Sequence, residues 1–243
     1  MGFILNNKVS QGGVGDGGFF NLNVSSGPTY PSFYDSTLIQ GFSFETANNV
    51  VTGSSDSLTF SNGSLVIAPV KVGIKSLSSG STGSSGYGAS TAALGCDEFH
   101  GSVAFWFNMG PAQSGVFAQG NSVGFNLGAI NSGGQIYLNA YVGDSGNLVS
   151  GAINRLVWNH MAATWNADTG KFKLYLNGNL TGTDSGFSDS FGTTCDANLF
   201  YALGMSVYAN MDEYYFWTRE LTGSEITQLY TLGNANKTYP WAS

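Results

Sequence analysis

Charge is scarce in this chain. Charged residues make up 9% of its 243 positions, with eight Lys and Arg in all and a net charge of −7, where an ordinary soluble domain carries about 25%. Eight scattered cations cannot neutralise a run of phosphates, so no nucleic-acid partner is expected. Cysteine is scarcer still, with only Cys96 and Cys195. Two cysteines make no disulfide framework, and their spacing carries no metal pattern. One bridge and two buried thiols stand as equal alternatives. No apolar run reaches the roughly 18 residues of a spanning helix, so no membrane segment is expected. The stretch from Met1 to Ser10 holds one Lys and no basic segment ahead of a long apolar run. No secretory signal is expected from it.

What the chain has instead is apolar and small polar residues. It is 42% hydrophobic, with 17 Phe, 12 Tyr, 5 Trp and 35 Gly. That content suits one large β domain, and solubility must rest on Ser, Thr, Asn and Gly. Residues 1–40 differ from the rest: Gln11 to Gly18 is nearly all Gly, and Gly27-Pro28 and Tyr30-Pro31 follow. They are expected to form an extended arm. From Gly41 the chain becomes short alternating runs broken by Gly, Ser and Asn, the rhythm of a sandwich or barrel. Ser78 to Ser90 is rich in Ser and Gly, but no independent core follows it. It is taken as a loop inside one domain spanning 41–243, with a tail at 234–243.

Several runs alternate with period two. Phe172, Leu174 and Leu176 share one face, opposite Lys171, Lys173 and Tyr175. Val103, Phe105 and Phe107 alternate in the same way, as do Ile136, Leu138, Ala140 and Val142. Asn177-Gly178 is a strong two-residue hairpin signal, because both positions tolerate positive φ. One helix is expected after Leu221. Thr222-Gly223-Ser224-Glu225 reads as a capping box, with Leu221 and Ile226 as its hydrophobic staple. Gly233 is a plausible stop.

The second half also carries an ordered set of motifs. Trp158-Asn159-His160-Met161-Ala162 leads to Leu174-Tyr175-Leu176-Asn177-Gly178, then to Asp212-Glu213-Tyr214-Tyr215-Phe216 and Arg219-Glu220-Leu221 ahead of the helix. Upstream stand Phe105-Trp106-Phe107, Gly73-Ile74-Lys75-Ser76-Leu77 and Phe44-Glu45. Together, over about residues 41–232, these resemble the laminin-G-like jelly roll of the concanavalin A-like lectin and glucanase superfamily. Ser76 stands where that family usually has Ala. The resemblance implies an all-β, two-sheet antiparallel jelly-roll sandwich, one sheet concave, with one short C-terminal helix. It implies no single function, since the fold hosts many.

Glucanases of that superfamily carry their acids at alternate positions on one strand. Here the acidic pairs, Asp97-Glu98 and Asp212-Glu213, are adjacent. Neighbouring strand residues point to opposite faces, so neither pair is expected to flank a glycosidic bond, and no enzymatic activity is expected. His160 matches the family's strand histidine, whose role is packing. Gly13 to Gly18 fits G-x-G-x-x-G but lacks the flanking strand and helix of a dinucleotide site. Asp212 shares the parity of Tyr214 and Phe216, which would turn it inward, where a carboxylate needs a partner. The resemblance implies Ca²⁺ as one partner for Asp212. A hydrogen bond to backbone or to Arg219 is favoured, because no cluster of oxygen ligands is visible. Tyr137, Tyr141, Tyr215 and Trp217 fall opposite the expected core positions and are candidates for a ligand or partner surface.

Two functions follow as expectations. The first is a non-catalytic structural or interaction protein of a large assembly, such as a bacteriophage virion. It would be a homo-oligomer held through residues 1–40 and the tail, made in the cytoplasm without a signal. The second is a lectin-like, carbohydrate-binding module, extracellular and Ca²⁺-dependent in some forms, that touches host glycans. No cofactor is otherwise expected.

Overall fold

The computed structural model describes residues 29–51, 56–61, 64–79, 87–90, 94–95, 99–110, 114–119, 125–142, 148–188, 194–195, 198–199, 209–237 and 239–241. The Gly-rich stretch at 11–18, the Asp97-Glu98 pair and Cys96 lie outside them.

The described chain forms seventeen strands and one helix. The first strands are β1 (Leu38–Phe42), β2 (Leu58–Ser61), β3 (Ser64–Val66), β4 (Ser76–Ser78), β5 (Tyr87–Ser90) and β6 (Leu94–Gly95). Then come β7 (His100–Met109), β8 (Gly115–Gln119), β9 (Phe125–Ser132), β10 (Gln135–Val142), β11 (Leu148–Ala152) and β12 (Trp158–Asn166). The last are β13 (Lys171–Leu176), β14 (Asn179–Asp184), β15 (Thr194–Cys195), β16 (Asn198–Leu199), β17 (Ala209–Trp217) and the helix α1 (Gly223–Asn234). An eight-stranded antiparallel sheet runs β14-β13-β12-β7-β17-β4-β3, with β1 also paired to β17. A seven-stranded antiparallel sheet runs β11-β10-β9-β8-β16-β5-β2, and β15 pairs with β6.

The core between the two large sheets is the one the alternation predicts. Phe105, Phe107, Met161, Trp165, Phe172, Leu174, Tyr214 and Phe216 from one sheet meet Phe117, Phe125, Leu127, Ile136 and Leu138 from the other. The expected hairpin is present: Asn177 and Gly178 hold φ of 51° and 77° between β13 and β14.

A second apolar cluster covers the outer face of the eight-stranded sheet. Phe33, Leu38, Ala104, Ala162, Tyr175, Tyr215 and Trp217 pack there with Leu221, Ile226 and Leu229 around α1 and with Trp241. Apolar side chains of this kind contribute roughly 1.5–3 kcal/mol each when fully buried. Trp217 Nε1 donates to the Phe33 carbonyl at 2.8 Å, and Trp241 meets Tyr215 edge-on with ring centroids 4.7 Å apart. Both flanks of the jelly roll are therefore folded onto its back.

This cover corrects two expectations. Residues 29–40, assigned to the arm, belong to the domain: Phe33 is fully buried, and β1 pairs with β17 from Leu38 to Phe42. The sequence hid this because Gly27-Pro28 and Tyr30-Pro31 read as extended chain. Tyr215 and Trp217 are not surface residues, with exposures of 1% and 0%. Strand parity placed them correctly on the outer face, but parity cannot report what lies over that face.

The helix begins as its sequence requires. Thr222 accepts from the Glu225 N–H, and Glu225 accepts from the Thr222 N–H, which completes the capping box. Leu221 and Ile226 are both buried. Gly233 is not the stop: α1 runs on to Asn234. A Cβ on Gly233 would stand 2.3 Å from Trp106 Nε1, so the glycine lets the last turn settle onto that indole. Gly233→Ala should therefore lower stability by roughly 1–3 kcal/mol through overpacking. Helix propensity alone favours Ala over Gly by about 1 kcal/mol, so a urea titration of the two proteins separates the causes by the sign of the change.

Candidate functional site

Among the described residues, the outer face of the seven-stranded sheet carries no cover like that of the eight-stranded sheet. On β10, Ile136, Leu138 and Ala140 enter the core, which turns Tyr137, Asn139 and Tyr141 outward. Their partners on β9 are Ile130, Gly128 and Asn126. Tyr141 thus stands beside Asn126, and Tyr137 beside Ile130. Between these pairs Gly128 offers no side chain, and a Cβ there would come within 2.4 Å of the Gly115 carbonyl oxygen on β8.

A groove of about 410 Å³ lies over this trough, walled by Ser114, Val116, Asn126, Ile130, Asn139 and Tyr141 among others. The volume falls within the range of small-molecule sites. Tyr141 is 39% exposed. Among the described residues, none that walls the groove carries a charge. Amide side chains both donate and accept, and a tyrosine ring adds a flat apolar face. The chemistry suits a neutral, hydroxyl-rich ligand.

The four aromatic candidates do not converge. Tyr137 and Tyr141 share this face, whereas Tyr215 and Trp217 lie under α1 on the other sheet. The groove's amides, Asn126 and Asn139, were not singled out from sequence. Their strand parity with Tyr137 and Tyr141 was the available signal.

Asp212 sits on the outer face of the eight-stranded sheet, not inward. The β17–β7 register shifts between Asp212 and Tyr215, and Glu213 adopts φ of 53°. One extra residue at this bulge reverses the parity. Met211, Tyr214 and Phe216 all face the core, while Asp212 pairs with Trp106 and Glu213 lies beside Trp106 and Tyr215. The premise that neighbouring acids point to opposite faces therefore fails at this pair. Both acids are nonetheless sealed, at 0% and 5% exposure.

The hydrogen-bonded alternative for Asp212 is the one found. Its Oδ2 accepts from the Lys71 and Val72 N–H groups at 2.9 and 3.0 Å, and its Oδ1 accepts from the Glu213 N–H at 3.0 Å. Arg219, the other named partner, bridges Asp35 and Glu225 instead. Among the described residues no three His, Cys, Asp or Glu gather as a metal cluster. Lys71 closes this corner, its ammonium 4.3 Å above the Trp106 ring and bonded to Asn234 Oδ1 at 3.1 Å. His160 packs, as expected, against the stacked rings of Trp106 and Tyr230.

Fold and site define a class, the two-sheet antiparallel jelly roll with one sheet face open. The chain belongs to the concanavalin A-like lectin/glucanases superfamily, whose laminin-G-type family model matches residues 82–227. No protein of curated function matches it in sequence. Among solved structures it is similar to domain 4 of AbnA, a GH43 extracellular arabinanase from Geobacillus stearothermophilus, in complex with arabinotriose. The TM-score is 0.59 at 19% identity, over 80% of this chain and 98% of that one. It is similar to the receptor binding domain of botulinum neurotoxin type G, with TM-score 0.58 at 14% identity over 81% and 51%. A SAP-like pentraxin from Limulus polyphemus aligns with TM-score 0.52 at 17% identity over 63% and 78%. These likenesses are of fold.

Burial sets the charge state of the acids. It raises the Asp212 carboxyl to about 7, against the three N–H bonds. A carboxyl raised in the folded state stabilises folding when protonated. Its contribution is complete below the unfolded value of 3.8 and is lost as pH rises through about 7. Glu225 acts in the opposite sense. Burial would raise it, but Arg219, Thr222 and Ser32 together bring it down to about 2. Its contribution is present above 4.5 and is lost as pH falls through about 2. Stability should therefore peak at about pH 4, between the unfolded values of the two groups, and decline until about pH 7. Denaturation midpoints measured across that range should flatten in Asp212→Asn.

Proposed function

We propose that this domain is a non-catalytic carbohydrate-binding module that takes a neutral saccharide in the groove over β8, β9 and β10. The observation that carries the reading is the uncharged groove, in which Asn126 and Asn139 flank the exposed ring of Tyr141. A sugar offers hydroxyls to the amides and C–H faces to the ring. The arabinotriose complex of AbnA domain 4 supports the reading, because it places a saccharide on a domain of this fold. The absence of catalysis is supported by the sealing of Asp212 and Glu213 beneath the Lys71 loop and α1. No substrate bond can reach that pair without the back of the domain opening.

A glycan array followed by calorimetry tests the proposal. Stacking on an aromatic ring contributes about 0.5–1.5 kcal/mol, so Tyr141→Ala should weaken binding roughly 2- to 12-fold. Asn139→Ala should also weaken it, and Tyr141→Ala should leave thermal stability unchanged. Equal affinity in wild type and both variants would remove the groove from the proposal.

Placement in a large particle is compatible with this reading. The low charge, 9% of residues, favours a surface packed against neighbours. With Leu38–Phe42 in the domain's own sheet, and with both Phe33 and the expected tail's Trp241 packed on its back, residues 1–28 would carry the docking. Deleting them should abolish incorporation into particles while leaving saccharide binding intact.

A further inference from the structure

Beneath α1, Trp106, His160, Glu213, Tyr215, Leu229 and Trp241 line a cavity of about 10 Å³, the room of roughly one water molecule. Two of these residues each leave one buried atom without a hydrogen-bond partner among the described residues: His160 Nδ1 and Glu213 Oε1. Buried polar atoms are nearly always paired, and a buried water commonly supplies the pairing when the protein does not. His160 lies on β12 and Glu213 on β17, on either side of β7, whose Trp106 pairs with His160 and with Asp212. The bulge and the positive φ at Glu213 bring its carboxyl to this face.

We propose that the cavity is a binding site for a single structural water that bridges Glu213 Oε1 to His160 Nδ1 and so ties β17 to β12 across β7. The protons then take the following arrangement. The Tyr215 hydroxyl donates to Glu213 Oε2, so that oxygen is an acceptor. Burial pushes the Glu213 carboxyl well above its ordinary value, which favours the neutral form, with Asp212 and Glu45 acting in the same direction and the Tyr215 bond opposing them. Its proton sits on Oε1 and is donated to the water. Burial likewise holds His160 neutral, and the Lys71 ammonium adds to the effect. The imidazole proton resides on Nε2, which leaves Nδ1 to accept from the water. Neither side chain carries a charge, and neither orphaned atom is left unpaired.

A crystal structure of the intact chain at a resolution that orders waters tests the bridge. One peak is expected within about 2.6–3.2 Å of both atoms, the ordinary hydrogen-bond range. No peak, or a peak in reach of only one atom, overturns the bridge. Infrared spectra recorded above the pH at which Asp212 ionises test the proton assignment. A protonated-carboxyl band should be present in the wild type and lost in Glu213→Gln, and a band that is absent or that survives the substitution overturns the assignment. Glu213→Gln keeps a donor towards the water and should retain the peak, whereas Glu213→Leu should lose it. If the Leu variant does not fold, the wild-type map and the Gln spectrum decide the matter.

Discussion

Strand β17 carries nine consecutive buried residues, and a strand buried on both sides has no face to give to water. Everything on the back of the domain answers that constraint. The inner face of β17 is covered by the opposing sheet, as in any sandwich. The outer face needs a cover of its own, and α1, Phe33 and Trp241 supply it. The helix is therefore not an appendage to a β fold but the lid of a second core. Its capping box fixes where it starts, and Gly233 fixes how closely its last turn approaches Trp106.

The two faces of the molecule consequently differ in kind. The covered back concentrates the groups that tolerate the loss of water least: two acids, a histidine and a partly buried lysine over an indole. Each is held by backbone N–H groups, aromatic rings or one another. The face over β9 and β10 carries amides, two tyrosines and, among the described residues, no charge. Low overall charge thus has a local meaning. On the proposed reading, the groove would recognise its saccharide through shape, stacking and neutral hydrogen bonds, which salt screens little.

Much of the fold was legible because short-range physics wrote it. Alternation in β7, β10 and β13 identified core residues, the Asn177-Gly178 dipeptide identified its hairpin, and Thr222 with Glu225 identified the helix start. The candidate site was legible in part. Tyr137 and Tyr141 lie on the open face, but Tyr215 and Trp217, of equal parity on their own strand, are covered by segments distant in sequence. The amides beside Tyr141 went unnoticed because asparagine between turns reads as ordinary strand polarity.

The sequence by itself determined which residues alternate, where the chain turns and where the helix is capped, because each depends on neighbours a few positions away. Only the tertiary structure decided that residues 29–40 belong to the domain and that Asp212 and Glu213 share a face. It also decided that one sheet is covered while the other is open. The bulge at Glu213 is stabilised by bonds to Lys71, Val72 and Tyr215, and the cover on β17 by aromatic side chains from both flanks. Those contacts join residues up to 184 positions apart, a distance at which no local pattern records the pairing.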